Sequence, residues 1–187
     1  MNGTSLPNGP LEVRQASDPH YAVWTLLEAV TDPEIPVVSL REMGVLRAVR
    51  DSHDGLEVVI TPTYSGCPAM GQMEDDVKAA LASAGLSARV VTLLAPAWST
   101  DWMTAEGRRK LKAYGIAPPQ ATACASQGHH VIQFATPKGL ASAPPNVICP
   151  QCGSDNTTET SHFGSTACKA LYRCLNCLEP FDYFKPY

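Results

Sequence analysis

GVLRAVRDSHDGLEVVITPTYSGCPAM, Gly44 to Met70, is the stretch on which the fold turns. Val45, Arg47 and Val49 alternate with Leu46, Ala48 and Arg50, and Leu56, Val58 and Ile60 line one face of a return strand. Asp54-Gly55 between them supplies a positive-φ turn, so the spacing predicts a β-hairpin. Tyr64-Ser65-Gly66 then leads into a helix expected from Pro68 to Ala84. Met70, Met73, Val77, Leu81 and Ala84 recur at helical spacing along it, and Gly85 suits the residue after its C-cap. Cys67 falls at the junction of strand and helix.

Outward from this core, SDPHYAVWTLLEAV (17–30) carries helix-start chemistry, with Ser17 or Asp18 as cap and Pro19 at the first helical position. Tyr21, Trp24, Leu27 and Val30 should face the core. Pro33 and Pro36 in TDPEIP end that helix in a rigid loop, and SLREMG forms a turn closed by Gly44. On the other side, SARVVTLLA reads as a third strand with Val91 and Leu93 on one face. A last helix runs from about Thr104 to Tyr114 and closes at Gly115. A hairpin joined through a crossover helix to a further strand predicts an α/β fold. We expect a two-layer sandwich at 17–117, with a small mixed β-sheet and helices on one face. Residues 1–16, rich in Gly, Pro, Asn and Ser, read as a disordered lead-in. Residues 118–146 read as a linker, with one isolated strand at HHVIQFA (129–135), before a cysteine-rich module at 147–187.

Hydrophobic residues make up 44% of the 187, enough for a real core. A net charge of −4 offers nucleic acid or an anionic membrane no electrostatic footing. No window approaches the roughly 18 apolar residues of a membrane span. The first residues show neither the charged start nor the apolar run of a secretory signal, so a cytoplasmic location is expected.

Five of the seven cysteines fall in the tail. Cys149 and Cys152 form one CxxC pair, and Cys174 and Cys177 form another. Each pair can set two thiolates on a tight turn, so the four predict a zinc ribbon around a structural four-thiolate site. Such an ion would fold a module too small to stabilise itself by burial. Iron in a rubredoxin-like site has the same ligand set. Cys168 and Cys124 are left over. Phe163, Tyr172, Phe181, Tyr183 and Phe184 are expected to form the ribbon's apolar shell.

Cys67, just before Pro68, should meet the unsatisfied N–H groups of a helix N-terminus, which lower a thiol's pKa. Gly66 leaves room for close backbone approach. Taken locally, the residue reads as a packed thiol, a nucleophile or a metal ligand. The nearest histidine in sequence, His53, sits at the hairpin turn, and no Cys–His–Asp arrangement suggests itself. Asp32 and Glu34 read as solvated charge or as neighbours of Cys67. Trp98 and Trp102 read as packing, and Ser99, Thr100 and Asp101 as caps of the next helix. The chain has no pair of Glu-x-x-His motifs for a di-iron oxygenase centre.

In order, Asp32-Pro33-Glu34-Ile35-Pro36, Ser39-Leu40, Met43-Gly44, TPTYSGCPAM, LAPAWSTDWMT and EGRRKLKAYGIAPP resemble the PaaD family of bacterial phenylacetate degradation. FGSTACKALYRCLNCLEPFDYFK looks like that family's C-terminal zinc-binding region. The first domain is also similar to small iron–sulfur-assembly domains of the SufT type. Their hallmark falls here on Asp32 to Pro36 and on Thr61, Cys67 and Pro68. The resemblance implies that Cys67, with Asp32, Glu34 and Thr61, handles iron or an iron–sulfur cluster held transiently. It implies a non-catalytic accessory protein of the phenylacetyl-CoA epoxidase (ring 1,2-epoxidase) system. The implied partners are the epoxidase components, above all the iron–sulfur reductase, and the iron–sulfur assembly machinery. A cluster needs four ligands, so one cysteine per domain implies sharing across a homodimer or with a donor protein, a contribution from Cys124, Cys168 or a small thiol, or no bound cluster at all. The alternative implication is a structural or regulatory subunit of the epoxidase.

Overall fold

The computed structural model describes residues 17–119 and 146–186. The lead-in, the strand expected at 129–135, Cys124 and most of the linker lie outside the described residues.

The first helix, α1 (Tyr21–Leu27), is shorter than its sequence suggests. It is preceded by a turn in which the Asp18 carboxylate accepts the His20 N–H at 2.8 Å. Starting there, the helix buries Val23, Trp24 and Leu27, while Tyr21 is swung outward and 40% exposed, contrary to the expected stripe.

TDPEIP is also not the plain loop expected. β1 (Thr31–Asp32) and β2 (Ile35–Ser39) pair antiparallel through it. The Asp32 carboxylate accepts the N–H groups of Glu34 (2.8 Å) and Ile35 (3.0 Å), clamping the turn. Pro33 lies in the turn, and Pro36 is exposed in a two-stranded ladder that tolerates its missing donor.

The next turn follows from Ser39 and Glu42, three residues apart. Ser39 Oγ accepts the Glu42 N–H at 3.2 Å, and the Glu42 carboxylate accepts the Ser39 N–H at 2.9 Å. This is a capping box. Gly44 ends it at φ +77°, pressed against Trp102.

β3 (Leu46–Ser52) and β4 (Gly55–Ile60) form the expected hairpin, with Ser52 opposite Gly55 and His53-Asp54 as the two-residue turn. A bulge sets Leu46 opposite Ile60 but Ala48 opposite Val59. Arg47, the extra residue, is fully buried with its guanidinium 3.7 Å from the centre of the Trp102 ring. Burial pushes its pKa down to about 10. From β4 the chain crosses through α2 (Met70–Ser83) to β5 (Ala88–Thr92), which runs parallel to β4. Met73, Val77 and Leu81 of α2 are buried, but Ala84 lies beyond the helix and is exposed. Ala88 and Val90 pack on the core, on the face opposite to Val91.

A 3-10 turn (Thr100–Trp102) is capped by Ser99, whose hydroxyl accepts the Asp101 N–H. α3 (Ala105–Ala113) is capped by Thr104 and ends before Gly115 at φ +91°. The mixed α/β architecture is thus the one expected.

β6 (Ile116–Ala117) joins a third, four-stranded sheet, with strand order β6-β9-β8-β7. Here β7 is Thr157–Ser161, β8 Lys169–Cys174 and β9 Pro180–Phe184. The ribbon's own core holds Ala117, Val147, Tyr172, Phe181 and Tyr183. Phe184 and Cys168 instead belong to the α/β core, with Phe184 6.0 Å from Trp98 between ring centres. Phe163 is 64% exposed and takes no part in the expected shell. The ribbon is therefore seated against the first domain by residues that its length made look internal.

Candidate iron-handling site and metal centre

The four tail thiols meet. The sulfurs of Cys149, Cys152, Cys174 and Cys177 all lie within 4.8 Å of one another, with Cys149–Cys177 at 3.7 Å and Cys152–Cys174 at 3.5 Å. Four thiolates about 2.3 Å from a tetrahedral zinc ion are about 3.8 Å apart, so the donor set fits. The turns prepare it: the Cys177 N–H donates to the Cys174 sulfur at 3.5 Å, and Gly153 follows the first pair at φ +74°. Backbone N–H groups, that of Cys177 foremost, lower the pKa of Cys174 and so favour the thiolate form that a metal requires.

Cys67 lies between β4 and α2, but two residues earlier than expected relative to the helix. Pro68 and Ala69 form a turn, and Met70 opens α2. The Cys67 carbonyl accepts the Met70 N–H at 3.4 Å, and its own N–H donates to the Tyr64 carbonyl at 3.2 Å. The thiol is partly buried. Its pKa is raised, not lowered. Burial is the main cause, and the carboxylates of Glu34 and Asp32 add to it. The N–H groups of Ala69 and Met70 pull the other way, as the helix-terminus argument requires, but they are outweighed.

Those carboxylates come from the β1–β2 turn. Asp32 is 6% exposed, and burial raises its pKa against the two N–H bonds that hold it. Asp32 is thus a clamp on the turn that carries Glu34. Thr61, just after β4, is 1% exposed; its hydroxyl has no hydrogen-bond partner among the described residues. A cavity of about 340 Å³ adjoins the Cys67 loop, lined by Pro62, Thr63, Tyr64, Ser65, Leu94, Ala97 and Trp98. Trp98 is fixed there by its indole N–H, which donates to the Met43 carbonyl at 3.1 Å.

The sequence leaves Cys168 as a spare thiol or a further ligand, and the structure brings it into this neighbourhood. It is buried, with its sulfur 3.0 Å from the Thr166 hydroxyl and 3.8 Å from the Glu34 carboxylate. Burial pushes this thiol up to about 11, with Glu34 and Asp32 contributing. Its place outside both CxxC pairs was the only signal in the sequence.

No base stands ready for Cys67 among the described histidines. His20 faces Asp51 at 3.5 Å, His53 faces Asp54 at the exposed hairpin turn, and His162 faces Glu159 in the ribbon. A thiol with a raised pKa and no such base is poorly set for nucleophilic attack.

Alkylation of Cys67 by iodoacetamide, followed by peptide mass spectrometry, should rise with pH only above the ordinary thiol range. Removing a nearby negative charge stabilises the thiolate, so Glu34→Gln should move the midpoint down. An unchanged midpoint would mean that Glu34 does not face Cys67.

Residues 21–92 match the family described as iron–sulfur cluster assembly protein, and residues 134–185 match the PaaD zinc beta ribbon domain. An Escherichia coli K12 protein, provisionally named as one of the subunits of 1,2-phenylacetyl-CoA epoxidase, is 45% identical over 166 residues. That match covers 88% of this chain and 92% of the relative. Among solved structures, a Bacillus anthracis DUF59 domain is similar at 29% identity and TM-score 0.44, covering 48% of this chain and 88% of that one. A Mycobacterium tuberculosis protein described as associated with Fe–S complex assembly and repair is similar at 30% identity and TM-score 0.31, covering 57% and 98%. An iron–sulfur-assembly domain followed by a PaaD zinc ribbon, matched over nearly the whole of a relative named for phenylacetyl-CoA epoxidase, places the chain in the PaaD family.

Proposed function

We propose that this protein is a non-catalytic accessory factor of a phenylacetyl-CoA epoxidase system, acting in iron–sulfur cluster assembly or delivery to the reductase component. In this reading Cys67 is the exchange ligand, Glu34 lies beside it, and Asp32 holds the turn that carries Glu34. Thr61 supports the end of β4. Residues 17–117 form the iron-handling domain, 118–146 the connection and 147–187 a module folded around structural zinc at Cys149, Cys152, Cys174 and Cys177.

The observation that carries the proposal is a partly buried thiol at a strand–helix junction, sensing two carboxylates and with no histidine base among the described residues, in a domain of the iron–sulfur-assembly family. Such a thiol gives up its proton to a metal more readily than to solvent, which suits a carrier better than a nucleophile. The test is co-expression with the epoxidase components. Cys67→Ser should lower the iron and sulfide content of the reductase, and epoxidase activity with it, by about tenfold or more. Wild-type cluster content with Cys67→Ser would sink the reading.

The relative's name favours a second reading, that of a structural or regulatory subunit. Under it, the protein would co-purify with the oxygenase at fixed stoichiometry and Cys67→Ser would leave the reductase loaded.

A further inference from the structure

We propose that Cys168, carried by the ribbon, is the second thiol of the Cys67 site, so that Cys67, Cys168 and the Glu34 carboxylate together receive a thiophilic divalent metal ion such as iron(II). The inference rests on the cargo reading of Cys67.

Two placements carry it, and the electrostatics agree with them. Cys168 has left the ribbon's own core and packs in the α/β core, where Cys67 also packs at the edge. Its sulfur approaches Glu34 at 3.8 Å, across 134 residues of chain. Both thiols sense the same two carboxylates, Glu34 before Asp32 in each case. A merely space-filling cysteine is better served by apolar neighbours than by a carboxylate. Two soft sulfurs and one oxygen form a donor set for iron(II) that leaves positions free for sulfide or a client's ligands. Among the described residues only the ribbon's four thiols already stand at ligand spacing, so this second group would draw together on its metal. Binding would displace the thiol protons into solvent.

The experiment uses the full chain with zinc in the ribbon, in a Cys124→Ser background, titrated anaerobically with cobalt(II). Cobalt(II) binds such sites more weakly than zinc, so it leaves the ribbon occupied. Sulfur-to-metal charge-transfer absorption counts the thiolates, and zinc analysis with circular dichroism confirms the fold of each variant. The parent should bind one cobalt ion with a two-thiolate band. Cys168→Ala and Cys168→Ser should each halve that band and weaken binding by about tenfold or more. Cys67→Ser should also lose half or all of it.

An unchanged band in both Cys168 variants, with loss in Cys67→Ser, overturns the role of Cys168 and leaves the maturation reading standing. If the parent binds no cobalt outside the ribbon, the site is likewise refuted. The maturation reading is then still judged by reductase loading in the co-expression test.

Discussion

Cys149→Ser is expected to take zinc from about one ion per chain to near zero and to unfold the ribbon. A structural four-thiolate site contributes an apparent ~10–16 kcal/mol to a small module. The ribbon has little else: its core is a few residues around Tyr172, Phe181 and Tyr183. The damage should not stop at the ribbon. β6 pairs with β9, Phe184 packs against Trp98, and Cys168 reaches Glu34, so all three contacts go with the metal. Metal analysis, near-ultraviolet circular dichroism of the tryptophans and limited proteolysis at 147–185 read these losses separately. Cys168→Ser is the control, because that thiol lies outside the four-sulfur cluster and its loss should leave the zinc in place. Retention of a full zinc ion by Cys149→Ser would refute the site.

Gly44→Ala should be the most damaging single methyl group in the α/β domain. At φ +77° an L-residue costs about 1–2 kcal/mol. An added Cβ would also meet the Trp102 carbonyl oxygen at 2.7 Å and the Trp102 Cβ at 2.8 Å. These atoms belong to the 3-10 turn that seats the Trp102 ring over Arg47, and a backbone cannot step aside as a flexible side chain can. Overpacking of this kind adds about 1–3 kcal/mol. The expected total of about 2–5 kcal/mol lowers Tm by about 4–20 °C. Gly85→Ala separates the two causes. It shares a positive φ, +70°, but nothing lies within 4 Å of its added Cβ, so only the conformational cost of about 1–2 kcal/mol should appear. Equal losses at the two glycines would show that the Trp102 contact is not felt.

The hairpin is legible in the sequence because alternation and a Gly55 turn are local signals, and the ribbon because two CxxC pairs have few other uses. The β1–β2 pair is hidden by Pro33 and Pro36, which read as loop although the clamp made by Asp32 lets a short ladder accept them. Its own helix alone would acidify Cys67. Burial reverses the shift, helped by carboxylates from a turn whose folding no local pattern reports. Phe184 and Cys168 look like ribbon residues for the same reason: nearness in sequence does not report nearness in space. Arg47 gives no sign of its burial, because a bulge, which alternation does not announce, turns it into the core.

The reach of Cys168 to Glu34 also sets a schedule. Translation at ~5–20 residues per second places the second residue roughly 7–27 s after the first. During that interval the hairpin, α2 and Cys67 have already been made, while Cys168 and Phe184 of the same core have not. The carboxylate then has only one thiol beside it. Under the proposed site, any metal captured so early would meet a half-built cradle, which the arrival of the ribbon would close. Newly made and finished chains would then present different surfaces to the same ion.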